Sequence, residues 1–221
     1  MSAKARNQHS GERVQARSIQ TRRRIKDAVV LLLERSDYSQ LSVANICDAA
    51  DIAVGGFYFH FKNKEEAIAE VFDQHYSSLW ESLRVSSKYG DLFSAVHHAN
   101  LAFVRAVSSH PGVSRCFNQY AALDQDLVRL WEASAKQWAR EFAASVADNP
   151  AVIAASEDEA FLQIYVLLGC TDSMLCQVYL ERDPQFAALA SAPERLAEEL
   201  AILWCRGLTG SNPAPDRLAF Q

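Results

Sequence analysis

The sequence predicts an all-α fold, and three observations carry that reading. Glycine and proline are scarce, 8 and 6 in 221 residues, where a chain of many tight β-turns would use more of both. Apolar residues recur at i, i+3, i+4 and i+7, the spacing of one helix face, in segment after segment. The composition, 49% hydrophobic and 22% charged, supplies a core and excludes wholesale disorder. At this length about 70–75% of the unfolded chain's surface can be buried, and one large or two small domains fit. The pattern resolves into about nine helices. The expected divisions are an arm over 1–17, a small domain over 18–64, a larger one over 65–210 and a tail over 211–221.

Residues 1–17 are polar, with Val14 the one sizeable apolar side chain, and read as a flexible basic arm. Ile25, Ala28, Val29, Leu32 and Leu33 form the first helical stripe, with Thr21 and the triplet Arg22, Arg23 and Arg24 placed at its start. Three positive charges at a helix N-terminus oppose the macrodipole, so they point to an external anion. Asp37 and Tyr38 break the stripe. Ser42 then caps a short helix carrying Val43, Ile46, Ala49 and Ala50. Asp51 makes a tight turn, and Ile52 to Phe61 forms a second short helix that Gly55 and Gly56 weaken. Asn63 with Glu66 fits a capping pattern for the next helix, which carries Ile68, Val71, Phe72, His75, Leu79 and Leu83 and ends before Gly90.

Five more helices follow. They are Asp91 to Ser108, a short one from Pro111 to about Tyr120, Asp124 to Asp148, Glu157 to Leu180 and Ala192 to Leu208. Leu127, Leu130, Trp131, Trp138, Phe142 and Val146 line the third of these, with Pro150 just beyond it. Glu157 to Leu180 is apolar almost all round and is therefore buried on most of its surface. Ser191 and Glu194 form a capping box for the last helix, and Gly207 and Gly210 stop it. The tail after Ser211 reads as loose.

Charge is uneven along the chain. Residues 1–35 hold nine Lys or Arg against Glu12, Asp27 and Glu34, a balance of +6; the remainder holds thirteen against twenty-four, a balance of −11, for the net −5. An anionic partner at one end is implied, and general coating of nucleic acid is excluded.

The stretch from Ser42 through Asn45, Ile46 and Asp51 to Ile52, followed by Gly55-Gly56-Phe57-Tyr58-Phe59-His60-Phe61-Lys62-Asn63-Lys64, has the layout of a helix-turn-helix. With its Tyr-x-His-Phe run leading into Lys at a helix start, it resembles the TetR family of bacterial transcription regulators over about residues 20–70. The resemblance implies an N-terminal three-helix DNA-binding domain and a larger C-terminal helical domain for ligand binding and dimerisation. Tyr58 and His60 would then meet phosphate oxygens, and Lys64 with the free N–H groups of the following helix would form a second phosphate clamp. Ser42 would contact phosphate, and Arg22, Arg23 or Arg24 would add backbone or minor-groove contacts. Outside this motif, Tyr58 reads as a half-buried packing aromatic and His60 as a satisfied surface histidine; the motif reverses both readings. At the base-reading positions, Ala53, Val54, Gly55 and Gly56 replace the Ser, charged residue and Thr frequent in the family. Readout would rest on Val54 against a thymine methyl and close backbone approach at the glycines. More weight then falls on Tyr58, Asn45, the arm and DNA shape.

In proteins of this type the last two long helices pair with their copies in a four-helix bundle. A homodimer would set recognition helices about 34–36 Å apart, or a multiple, on a near-palindromic double-stranded operator. The helices from Lys64 to Asp148 would enclose a pocket for a mostly apolar or amphipathic effector. Candidate walls are Phe93, His97, Phe103, Phe117, Tyr120, Trp131, Trp138 and Tyr165, with Asn100, Arg105, Asn118 and Gln119 as polar contacts. An aromatic stripe at helical spacing is more often core than binding site, so the pocket as a whole is better supported than any one of these residues. The implied function is a ligand-responsive regulator, a repressor released by its ligand. The alternative is a helical ligand- or partner-binding protein whose helix-turn-helix no longer reads DNA specifically.

Enzyme, metal and cofactor readings find no support. His97 and His98 point about 100° apart on a helix, and no phosphate-cradling glycine loop or nucleophile motif occurs. Cys47, Cys116, Cys170, Cys176 and Cys205 contain no C-x-x-C and are expected as free thiols. The longest unbroken apolar run, Ala28 to Leu33, is too short to span a bilayer, and no apolar stretch follows Lys4 and Arg6, so a cytoplasmic protein without a signal peptide is expected.

Overall fold

The computed structural model describes residues 3–86, 91–121 and 125–220, with side chains described over 15–83, 91–120 and 128–220. Among the described residues it is all helical. The α-helices are α1 (Ala3–Leu33), α2 (Val43–Ala50), α3 (Val54–His60), α4 (Lys64–Ser86), α5 (Leu92–Ser109), α6 (Pro111–Ala121), α7 (Gln125–Val146), α8 (Glu157–Leu175), α9 (Ala187–Ala190) and α10 (Pro193–Thr209). The expected helix end near Gly90 and start at Asp124 lie outside the described residues, as do the side chains of Val14 and Leu127.

Two compact units divide after Gln74, within α4, later than the expected break at 64/65. The reason is packing: Ala67, Ile68, Val71 and Phe72 of α4 are buried, beside a core of Ile25, Val29, Leu33, Ile46, Phe57 and Phe61. The first unit corrects the reading of the arm. Helix α1 reaches back to Ala3, since residues 3–24 contain no proline and a single glycine. Arg22, Arg23 and Arg24 therefore lie well inside a helix, and the macrodipole argument for an external anion does not apply to them. The second short helix begins at Val54, two residues later than expected from Ile52.

In the second unit, α5 packs mainly on α10, and α7 on α8. Gly207 does not end α10; it lies within it, where an added Cβ would stand 3.1 Å from Leu167 Cδ1, so its missing side chain admits α8. The helix stops at Gly210, in the left-handed region at φ 70°. The expected capping box is absent: the N-cap is Ala192, with no side-chain cap, and Glu194 pairs with Arg105 at 3.2 Å. The tail is docked rather than loose, with the N–H groups of Ala219 and Phe220 donating to the buried Glu198 carboxylate at 2.6 and 2.8 Å.

Helix α8 ends as an α-helix at Leu175 and continues to Leu180 as a π-helical turn. Glu157–Leu180 is long and apolar enough to cross a membrane by composition, with a mean hydropathy of 1.3. It also buries Ile164, Leu167, Leu168 and Leu175 in the unit's core. All five cysteines are free thiols, and burial pushes Cys205 up to about 11.

Candidate nucleic-acid interface and ligand cavity

The helix-turn-helix is built by local rules. Ser42 accepts the Asn45 N–H at 3.2 Å and starts α2; Asp51, at φ 50°, ends it in the left-handed region that Asp tolerates. Helix α3 has only seven residues, two of them glycine, each costing about 1 kcal/mol against alanine. Phe57 at 0% exposure and Phe61 at 2% offset this by about 1.5–3 kcal/mol apiece.

The outer face of α3 is uncharged. Ala53, Val54, Gly55, Tyr58 and Phe59 are exposed, Phe59 at 78%. Sequence reasoning assigned nothing to Phe59; its position one residue from Tyr58, off the stripe of Phe57 and Phe61, was the available signal. A Cβ on Gly55 would meet nothing within 4 Å, and one on Gly56 only Ile52 Cβ at 4.0 Å, so internal packing requires neither glycine. Asn45 is exposed on α2, although its side chain also meets the Ser42 hydroxyl.

The expected phosphate-binding cations have other partners. Arg22 donates to Glu70 and to the His60 carbonyl at 3.0 Å, and lies over the Phe61 ring. Arg22 and Lys26 together hold the Glu70 carboxyl below the usual range. Arg24 donates to the carbonyls of Ala50 and Asp51 and to the Asp51 carboxylate, pinning the turn. Lys64 donates to the Leu41 carbonyl at 2.8 Å and sits over the Tyr38 ring. Arg23 stays out in solvent, 3.8 Å from Asp27. Burial and the Arg22 charge lower the His60 pKa, so its ring is neutral near pH 7 and can donate without carrying charge. At the start of α4, Asn63 accepts the Glu66 N–H at 2.8 Å and the Glu66 carboxylate accepts the Lys62 N–H at 2.6 Å. The capping pattern is thus present and uses part of the expected clamp.

The second unit holds a cavity of about 40 Å³ lined by Tyr76, Phe103, Val107, Ser114, Phe117, Asn118, Trp131, Asp172, Leu175, Cys176 and Leu180. Of the expected ligand residues it brings together Phe103, Phe117, Asn118 and Trp131. The others lie elsewhere. Phe93 and His97 stack at 5.8 Å, Trp138 packs on Phe142 and Trp204 in the core, and Tyr165 stacks on Phe161. Asn100 is buried, accepting from Thr171, which accepts from Trp204 Nε1 at 3.0 Å; Tyr120 is buried, and Arg105 pairs with Glu194. Asp172 was legible as the one charge inside the apolar run from Phe161 to Leu180. Burial raises the pKa of Asp172 and, more strongly, of Tyr76. Cys176 and Leu180 come from the π-helical turn, a distortion frequent at functional sites.

Comparison with known proteins agrees with this geometry. Residues 25–71 match the family described as bacterial regulatory proteins, tetR family. The chain is 32% identical over 65 residues to the A-factor receptor protein of Streptomyces griseus, a match spanning 29% of this chain and 24% of that protein. A transcriptional regulator from Rhodococcus sp. Rha1 has the same fold at a TM-score of 0.69 and 18% identity, covering 87% of this chain and 99% of that one. The TetR family regulator PfmR from Thermus thermophilus aligns at 0.67 and 16%, covering 83% and 98%. Residues 25–71 thus match the N-terminal domain of the tetR family of bacterial regulatory proteins, and the fold of the chain is that of these solved regulators.

Proposed function

We propose that the protein is a ligand-responsive transcriptional repressor. It binds a near-palindromic operator as a homodimer and is released by a mostly apolar small molecule. The observation that carries this is the exposed face of α3, with Val54, Gly55 and Tyr58 offered to solvent by a helix that Phe57 and Phe61 anchor. Val54 suits a thymine methyl, and the bare backbone at Gly55 suits close approach to the groove. Dimerisation is supported by the apolar side chains left exposed on the last long helices, Leu162 at 56% and Val166 at 61% on α8 and Leu203 at 42% on α10. Effector binding is supported by the aromatic cavity, and release follows if the ligand favours a conformer whose two recognition helices are wrongly spaced.

A gel-shift titration with the DNA flanking the protein's own gene, at two salt concentrations with excess random competitor, tests the reading. The expected result is a discrete complex that survives competitor. Loss of every complex, both there and in selection from random DNA, would favour a helical binding protein without specific readout. The observation behind that second reading is that the exposed face of α3 carries no bidentate donor.

A further inference from the structure

The cavity of the second unit combines three features that a purely apolar ligand does not require. Four aromatic rings converge on it: Tyr76 lies 4.8 Å from Phe117 and 4.4 Å from Trp131, and Phe103 lies 6.4 Å from Trp131. Among the described residues one carboxylate, Asp172, lines it, and no Lys, Arg or His does. That carboxylate has no hydrogen-bond or ion-pair partner among the described residues, while solvent still reaches the residue. A second negative charge stands beside the lining, where the Cys176 thiol points to the Glu181 carboxylate at 3.9 Å.

An unpaired carboxylate at the edge of an aromatic cavity sets a negative potential there with no counter-charge from the protein. A cation placed there supplies the missing counter-charge, and ring faces within about 6 Å of it add cation–π attraction. A neutral ligand leaves the carboxylate uncompensated, and an anion is repelled. We propose that the cavity binds an organic cation, its ammonium head among Tyr76, Phe117 and Trp131 with Asp172 as counter-ion and its apolar body toward Val107 and Leu180. This rests on the reading of the cavity as the effector site and names the charge of the effector. At about 40 Å³ the cavity is smaller than an alkylammonium head, so binding requires the surrounding rings to part and larger bodies to extend toward solvent.

The test is calorimetric titration of the full-length chain with three probes of matched shape: benzyltrimethylammonium, its neutral carbon isostere neopentylbenzene, and 3-phenylpropionate. The cation should bind at least tenfold tighter than the neutral probe, and the anion should not bind. Asp172→Asn should reduce cation affinity at least tenfold, leave the neutral probe unchanged and melt no lower than the parent chain. Trp131→Leu should weaken the cation more than the neutral probe. Equal binding of cation and neutral probe, an Asp172→Asn variant that keeps the preference, or no binding of any probe would overturn the proposal. Adding each probe to the gel shift separates the two readings. A bound cation that leaves the DNA complex intact refutes the effector role alone, while release by the neutral probe refutes the charge assignment alone.

Discussion

Gly55→Ala separates what α3 needs in order to fold from what it needs in order to dock. The new methyl would meet no atom within 4 Å, and position 55 is exposed and lacks the positive φ that would demand glycine. The substitution thus has no steric cost inside the protein. It lowers the entropy of the unfolded chain, a gain of about 0.4–1 kcal/mol, which for a chain of this length corresponds to roughly 1–4 °C in Tm. If the backbone at Gly55 approaches the bases, the same methyl must obstruct docking. A loss of about 1.4 kcal/mol is a tenfold loss of operator affinity. No charge is removed, so the slope of affinity against salt should stay unchanged. The assays are thermal denaturation and a fluorescence-anisotropy titration of operator DNA across a salt series. A more stable variant with undiminished affinity would refute the close-approach argument, and a less stable one would refute the assignment of position 55 to an unstrained helix.

Three further outcomes follow from the packing. Glu70→Gln should destabilise the first unit by about 1 kcal/mol, because the Arg22 pair is only partly buried; a double-mutant cycle with Arg22→Ala should recover that coupling, and additive effects would count against the pair. His75 is lowered to about 4 by burial, with His110 nearby and its Nε2 without a partner among the described residues. The unfolded chain therefore takes the proton first. Stability contributed by the neutral ring is complete above about pH 6.5 and falls as pH drops toward 4, by roughly 2 kcal/mol at pH 5. Urea melts at pH 7 and 5 should show this loss in the parent chain and much less of it in His75→Leu. Val166→Asp, at a position 61% exposed in the single chain, should cost the monomer under about 0.5 kcal/mol yet shift a dimer to monomer in analytical ultracentrifugation. An unchanged sedimentation coefficient would remove α8 from the interface.

The helices and their buried stripes were legible because apolar spacing records burial directly. Ile25, Val29 and Leu33, or Phe57 and Phe61, announce one face each, and all are buried. Partnerships across the chain were not legible. Nothing near Arg22 in sequence indicates Glu70, and Arg24 reaches carbonyl oxygens that any residue would supply. The cavity was half legible for the same reason. Phe103, Phe117 and Trp131 belong to helical stripes that also build core, so spacing could not separate Trp131 at the cavity from Trp138 against Trp204. The π-helical turn that brings Cys176 and Leu180 round has no composition signal at all.

Those partnerships change what the basic N-terminal section can contribute to DNA binding. The sequence suggests many cations awaiting phosphate, but Arg22, Arg24, Lys26 and Lys64 each have carboxylate or carbonyl partners inside the unit. Each is half spent on holding the first unit's helices together. The cations left outward over residues 15–74 are Arg17, Arg23, Arg35 and Lys62. Each phosphate contact adds about 0.9 to the salt slope, so residues 15–74 contribute a shallower slope than their eight cations imply. In the proposed docking, affinity that charge does not supply would come from uncharged groups: the Tyr58 hydroxyl, the neutral His60 ring, the backbone N–H groups opening α2 and α4, and the apolar contacts of Val54 and Phe59. Such contacts depend on fit to groove width and methyl placement rather than on charge, so the proposed docking would discriminate among DNA sites by shape more than by base-edge hydrogen bonds.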